Sequence, residues 1–341
     1  MKICTQCILP ETFPGVSFDD EGVCNHCRKS EARKTSLVEE KKLFARKFEE
    51  LLSSLGLGKT MVRDGGLRAY DVLMAYSGGK DSTYTMSLLG KKYGLRVLAL
   101  SFDNGFLSPA AVENIKKVTD ALGVDHILFK SHWGLLRKIF TTAAERELYS
   151  KKTLERASTI CTSCIGLVKA LCLKTAIEQD IPLIAFGWSP GQAPMESSIM
   201  KNNPSLIKMA QQAIQQPLRT VVGNGADSYF LRERHYAMPE RFPYNVHPMA
   251  WEYYNEEMIL KDIQQYGWTA PRDTDSNSSN CLLNAYANEI HLNKYGFHPY
   301  VWEIANMVRD KVMTREEGYE KIYGVREKTL VEAAREKLER E

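Results

Sequence analysis

No run in this 341-residue chain reads as approaching the roughly 20 apolar residues of a membrane span, and the first residues are polar and cysteine-bearing where a signal peptide is apolar. Membrane insertion and secretion are therefore not expected, and the expected location is the cytoplasm. Charge of one sign is also scarce: 45 Lys and Arg against 42 Asp and Glu leave +3. That is too little to call for a nucleic-acid partner by itself, although a tRNA-binding face stays open. The chain has no internal repeats and no low-complexity tracts, so nothing marks a repeat architecture. What remains is globular: 44% hydrophobic and 26% charged residues, at a length that supports two or three units around a substantial core.

In a reducing compartment, eight cysteines point to metal ligation rather than disulfides. Cys4-Thr5-Gln6-Cys7 and Cys24-Asn25-His26-Cys27 are two CxxC knuckles in a segment broken by Pro10, Pro14, Gly15 and Gly22. So short a segment cannot bury a core of its own, and four thiolates around tetrahedral zinc supply the missing stability. A redox role for one pair would not need the second, and His26 is expected outside the ligand set. A second pattern joins Cys161-Thr162-Ser163-Cys164, at or just before a helix start, to the distant Cys281. A helix N-terminus favours thiolates. Three thiols without a fourth suit a [4Fe-4S] cluster with one open iron, while a persulfide-carrying pair or a second zinc site stays open. Cys172, two helical turns past Cys164, reads as a buried apolar thiol.

The most informative segment is Tyr76-Ser77-Gly78-Gly79-Lys80-Asp81-Ser82-Thr83, after the apolar run Val72–Ala75 and before a helical stretch. A strand that breaks on two glycines and opens a helix presents free N–H groups to an anion. Ser77, Ser82 and Thr83 add hydroxyls and Lys80 a positive charge. Ser77–Ser82 resembles the pyrophosphate-binding loop of the PP-loop ATP pyrophosphatase superfamily (adenine nucleotide alpha hydrolase-like), whose members cleave ATP between the α and β phosphates and pass AMP to an acceptor oxygen. Around it, apolar strands at 71–76, 95–102, 126–130 and 181–187 alternate with helices at 81–93, 109–122 and from Cys164 to about Gln179. This predicts an α/β fold: a doubly wound parallel sheet (PP-loop, HUP-like) with an N-terminal zinc knuckle and a helical C-terminal region, its ligand lying beyond the strand carboxyl ends. The superfamily resemblance implies adenosine contacts at Ser101, Phe102 and Asp103 and a matching strand end at Gly187. The expected division is 1–30 knuckle, 31–68 linker helix, 69–190 ATP-binding domain, 191–250 acceptor-site insertion and 251–341 helical region.

Two narrower resemblances diverge. The order zinc unit, Ser77–Ser82 loop, CxxC and distant cysteine is similar to that of the PP-loop tRNA thiolases, and implies that Cys161, Cys164 and Cys281 bind iron–sulfur or carry sulfur. The knuckle sequence through Cys27, together with Asp273-Thr274-Asp275, Lys294-Tyr295-Gly296-Phe297 and Met313-Thr314-Arg315-Glu316-Glu317-Gly318, is similar to the N-acetyl sugar amidotransferases of surface-polysaccharide biosynthesis, and implies ammonia from a glutaminase partner. Both share a half-reaction in which ATP with Mg²⁺ adenylates an acceptor oxygen, with Lys80 and Asp81 at the loop and Asp81 or Asp103 helping to hold the metal. Sulfur transfer is the reading favoured, because three cysteines aimed at one site have no task in amidation; a nucleotide-binding scaffold without turnover is the reading of another class. The partners expected are a small-molecule or nucleotide-linked acceptor, a sulfur donor or a glutaminase subunit, and a second copy of the chain.

Overall fold

The strands of the computed structural model are, in chain order, β1 (Val72–Ala75), β2 (Val97–Asp103), β3 (Asp125–Lys130), β4 (Leu183–Phe186), β5 (Ile199–Lys201) and β6 (Tyr244–Val246). They form one sheet in the order β3-β2-β1-β4-β6-β5, parallel throughout except for β5, which runs antiparallel along β6 at the edge. The structure describes residues 1–31, 37–58, 68–272, 274–275, 277–325 and 327–340; the expected linker at 32–36 and 59–67, and Asp273, lie outside them.

Helices cover both faces. They are α1 (Asn25–Glu31), α2 (Leu37–Ser54), α3 (Lys80–Ser87), α4 (Pro109–Leu122), α5 (Trp133–Glu145), α6 (Lys151–Leu154), α7 (Thr159–Glu178), α8 (Pro204–Val222), α9 (Glu233–Tyr236), α10 (Glu256–Gln264), α11 (Asn284–Tyr295), α12 (Val301–Arg309), α13 (Arg315–Tyr323) and α14 (Lys328–Glu339). Because side chains alternate along a strand, β2 serves two cores at once. Val97 and Ala99 pack with Met86 of α3 and Ile115 of α4, while Leu98, Leu100 and Phe102 pack with Ile139 of α5 and Leu167 of α7. The fold is therefore the expected doubly wound α/β sheet, with helices on both faces.

Local chemistry sets the helix ends. Ser108 caps α4 by accepting the Ala111 N–H at 3.0 Å, Pro109 fills the first helical position, and Gly123 ends the helix at φ 65°. Ser158 caps α7 through the Cys161 N–H at 3.1 Å, so the helix starts at Thr159 and carries Cys161 and Cys164 inside its first two turns rather than before them.

One further expectation is corrected, and two parts of the chain join the main fold. Helix α7 is long and apolar enough, by length and composition, to cross a membrane, with a mean hydropathy of 1.7; 56% of that window is buried in the protein, because α7 lies against β1, β4 and five other helices. The stretch 191–250 supplies β5 and β6 to the main sheet. The N-terminal knuckle shares the main core: Ile8, Leu9 and Phe13 cluster with Ile304, Val308 and Ile322, and the Phe13 ring stacks on Trp302 at 5.4 Å.

Candidate active site and thiolate centre

Between β1 and α3 the chain turns on Ser77, Gly78 and Gly79. Gly78 sits at φ 75°, and a Cβ there would stand 2.6 Å from the Ala111 carbonyl oxygen. Only glycine meets both demands. Neighbouring β4 ends at Gly187, where a Cβ would lie 2.4 Å from Ser82 Cα, so the loop rests directly on the end of β4. These two strand ends flank the point where the winding reverses, the place where such sheets hold ligands. Within the loop, the Ser77 and Ser82 hydroxyls pair at 3.0 Å and the Thr83 hydroxyl donates to the Gly79 carbonyl at 2.9 Å.

The loop is overlaid by residues from far along the chain. The Lys80 backbone N–H donates to Ser279 Oγ at 3.1 Å. Lys80 Nζ lies 3.0 Å from Tyr254 Oη, 3.0 Å from Glu256 Oε1 and 3.6 Å from Asp81 Oδ1. The Tyr254 hydroxyl also donates to Asp81 at 3.3 Å. Burial raises the Asp81 carboxyl above the usual range against the pull of Lys80. Glu303 on α12 accepts from the Ser189 hydroxyl at 2.6 Å and Gln192 Nε2 at 3.0 Å; burial pushes its carboxyl up to about 7, with those two hydrogen bonds opposing and the nearby Asp81 charge assisting. The sequence reading missed Tyr254, Glu256, Ser279 and Glu303. The available signal was Glu303 itself, a carboxylate on a helix whose neighbours Ile304, Ala305, Met307 and Val308 are buried.

At the end of β2, the Ser101 hydroxyl donates to the Tyr76 carbonyl at 2.7 Å and pairs with His126 Nε2 at 2.8 Å. The Phe102 ring packs inward against Phe129 and Tyr229. Asp103 turns the chain by accepting the Gly105 N–H at 2.8 Å. These three positions thus lie at the sheet edge, with the Ser101 hydroxyl and the Phe102 ring engaged within the fold.

Cys161, Cys164 and Cys281 meet beside this edge. Asn104 Nδ2 donates to Cys164 Sγ at 3.6 Å and to Cys281 Sγ at 3.7 Å. Cys281 is brought there by an isolated bridge to Leu107, flanked by hydrogen bonds from the Ser108 N–H to Asn280 O and from the Leu282 N–H to Phe106 O, each 2.9 Å. All three thiols are half-buried. Burial pushes Cys161 and Cys164 up to about 12 and raises Cys281 as well, while the Asn104 amide opposes the shift at Cys164 and Cys281. Cys172 is fully buried in the core.

Among the described residues, one group of Cys, His, Asp and Glu side chains brings all its ligand atoms within 4.8 Å of one another: Cys4, Cys7, Cys24 and Cys27. Cys4 and Cys27 Sγ lie 3.8 Å apart, and Cys7 and Cys24 Sγ 3.7 Å. A tetrahedron with metal–sulfur bonds of about 2.3 Å has edges of about 3.8 Å, so these residues fit a tetrahedral thiolate ion. Hydrogen bonds among the sulfurs lower Cys4 and bring Cys24 down to about 6 while raising Cys7 and Cys27. Four sulfurs so close cannot all be deprotonated unless a cation sits among them. Outer partners complete the setting. The Arg309 guanidinium donates to Cys7 Sγ at 3.3 Å, and Arg315 donates to the carbonyls of Cys4 and Cys7, each at 3.0 Å. His26 stands outside the group, edge-on to Trp302 at 4.8 Å.

No known family profile matches the chain. An uncharacterized protein of Methanocaldococcus jannaschii is 23% identical over 314 residues, covering 92% of this chain and 90% of its own length. Among solved structures, the U34-tRNA thiolase NcsA from Methanococcus maripaludis with its [4Fe-4S] cluster aligns over 97% of this chain and 96% of its own, at 16% identity and a TM-score of 0.37.

Proposed function

We propose that the protein is an ATP-dependent adenylating transferase that replaces an acceptor oxygen with sulfur. The observation that carries this reading is the junction at Ser279. Two residues before Cys281, its hydroxyl accepts the Lys80 N–H, while Cys281 shares the Asn104 amide with Cys164. The loop and the thiols are therefore linked through the Ser279–Cys281 segment. In the first half-reaction the acceptor oxygen attacks the α-phosphorus of ATP and pyrophosphate leaves into the loop. The Ser77 hydroxyl and the Lys80 ammonium would balance its charge, and the Lys80 N–H, held here by Ser279 Oγ, would join them once Ser279 gives way. Asp81 or Asp103 would help hold Mg²⁺. In the second half-reaction a sulfide displaces AMP.

Cys161, Cys164 and Cys281 would hold a [4Fe-4S] cluster, which when bound offers one iron free for an external sulfide. Unlike the first four cysteines, these three do not gather their sulfurs within 4.8 Å, which argues against a single tetrahedral ion. Cys4, Cys7, Cys24 and Cys27 would hold structural zinc, and the cytoplasm is the compartment that keeps all these thiols reduced. The stretch Met313–Gly318 has a structural task here, since Arg315 fastens the knuckle.

The test is product analysis together with anaerobic purification. Pyrophosphate and AMP in equal amounts, and brown protein with about four iron atoms per chain, support the proposal. ADP as product overturns the adenylation step. Colourless protein whose Cys161→Ser variant keeps full turnover with ammonia replaces sulfur transfer by amidation.

A further inference from the structure

Helix α7 leaves one stripe uncovered. Thr159, Ile160, Thr162, Ser163, Leu167, Ala170 and Leu171 are buried, whereas Cys161, Cys164, Ile165, Val168 and Lys169 are not. Positions i, i+3, i+4, i+7 and i+8 share one helix face, so the thiols and Lys169 stand on the same wall. Lys169 follows Cys164 by five residues, about 7.5 Å of helix rise.

The surroundings of that ammonium are unusual. Its side chain is open to solvent, yet enough protein surrounds the charge to depress its pKa, with no carboxylate opposing the shift. Lys80, Lys92 and Lys208 each pair with a glutamate; Lys169 has no ion pair among the described residues. Its partner is the Trp188 ring, with Nζ 4.6 Å from the centroid. Trp188 follows Gly187 at the end of β4 and is held in place from behind: His247, just past β6, stacks on it at 4.0 Å and 9°, and Phe186 packs at 5.6 Å. His247 is buried and its pKa is pressed down to about 3 by burial, with the Lys169 charge assisting, so the stack is neutral and Lys169 is its cation. An ammonium at the solvent edge with no carboxylate partner is free to take an anion from solution.

Resting on the reading of this sheet edge as an acceptor site, we propose that Lys169, positioned by the Trp188–His247 stack, binds an anionic phosphate group of a small nucleotide-linked acceptor and sets that acceptor along the wall carrying Cys161 and Cys164. One cation on an aromatic platform suits a small anionic group better than a polymer backbone, which asks for a row of cations.

The test uses full-length protein saturated with α,β-methylene-ATP, so that the nucleotide loop is filled. Reductive ¹³C-methylation labels the lysines, and Lys169→Arg identifies the Lys169 signal. Inorganic phosphate and UDP are expected to move that signal, and UDP to bind more tightly than uridine. Lys169→Met is expected to weaken UDP roughly 10- to 150-fold, the span of a lost hydrogen bond to a charged group, while leaving the affinity for α,β-methylene-ATP unchanged. Lys169→Arg retains most of the affinity, and Trp188→Leu weakens UDP with its fold and nucleotide affinity intact. The proposal is overturned if neither phosphate nor UDP moves the Lys169 signal, or if Lys169→Met binds UDP as the parent does. It is also overturned if Lys169→Met weakens only tRNA, with a salt dependence of several charges. Because the readout is binding, it is separate from the failure of adenylation, which pyrophosphate release by the unaltered protein reports.

Discussion

The contact between β4 and the Ser77–Ser82 loop can be tested with one methyl group. A Cβ on Gly187 would lie 2.4 Å from Ser82 Cα, 2.6 Å from Ser82 N and 2.9 Å from Asp81 C, where ordinary contact begins at 3.4 Å. The closest pair must therefore separate by about 1.0 Å (3.4 − 2.4). All three opposing atoms are backbone, at the start of α3, so no side chain can swing aside. Overpacking of this kind costs about 1–3 kcal/mol. At an unfolding entropy of about 2.1 cal/mol/K per residue, each kcal/mol lowers the Tm of this 341-residue chain by about 1.4 °C, so Gly187→Ala is expected to melt roughly 1.5–4 °C below the parent. Catalysis should suffer more, because a displacement of about 1 Å in a reacting group costs about 100-fold in rate. The assay pairs thermal unfolding with pyrophosphate release, and Gly90→Ala, where a Cβ meets nothing within 4 Å, is the control. A Gly187→Ala protein that melts within 1 °C of the parent and keeps full turnover would refute the close approach.

Lys80→Ala and Asp81→Asn are expected to lose pyrophosphate release while melting near the parent temperature; a large drop in Tm would instead give this pair a structural role. Cys4→Ser and Cys24→Ser are expected to lose zinc and thermal stability together, measured by metal analysis and unfolding, and unchanged zinc in both would show a different ligand set. Arg315→Leu, which removes donors to the Cys4 and Cys7 carbonyls, should lower zinc affinity without removing a ligand, and a chelator titration indistinguishable from the parent would rule that out. Glu303 keeps its proton in the folded protein up to about pH 7 where an ordinary glutamate releases it at 4.5. The native state therefore binds the extra proton, and stability from this group is present below pH 4.5 and declines as pH rises through 7. Glu303→Gln should flatten that decline in a plot of Tm against pH; parallel curves for variant and parent would contradict it.

The strands and helices that sequence made legible are those with strong local signals. The apolar run of β2 and the helix Pro109–Leu122, bounded by Ser108, Pro109 and Gly123, stand where expected. Strands β5 and β6 escaped because three residues each, IMK and YNV, are too short for periodicity and depend on pairing with each other and with β4. Helix α13 was hidden in plain view: Thr314 and Glu317 form a reciprocal capping box, yet the same residues had drawn notice only as a family resemblance. The four-thiol centre was legible from its spacing, whereas Tyr254, Glu256 and Ser279 reach the nucleotide loop from more than 170 residues away, a convergence no local pattern encodes. The apolar length of α7 is a further case: core burial and membrane burial select the same composition, and only the packing tells them apart.

The clasp between the first and last parts of the chain bears on how the protein is made. Cys4, Cys7, Cys24 and Cys27 leave the ribosome early, but Arg309 and Arg315, which face their sulfurs and carbonyls, come roughly 290 residues after Cys27. At about 5–20 residues per second that is an interval of roughly 15–60 s. During it the nascent knuckle has neither its guanidinium partners nor the α12 and α13 surface on which Phe13 and Ile8 rest. Its thiols are then at their most vulnerable to oxidation and to capture by the wrong metal, and metal loaded during synthesis is held by the ligands alone. Truncated chains ending before α12 should accordingly accumulate with labile zinc, and the complete chain should lock its first residues last.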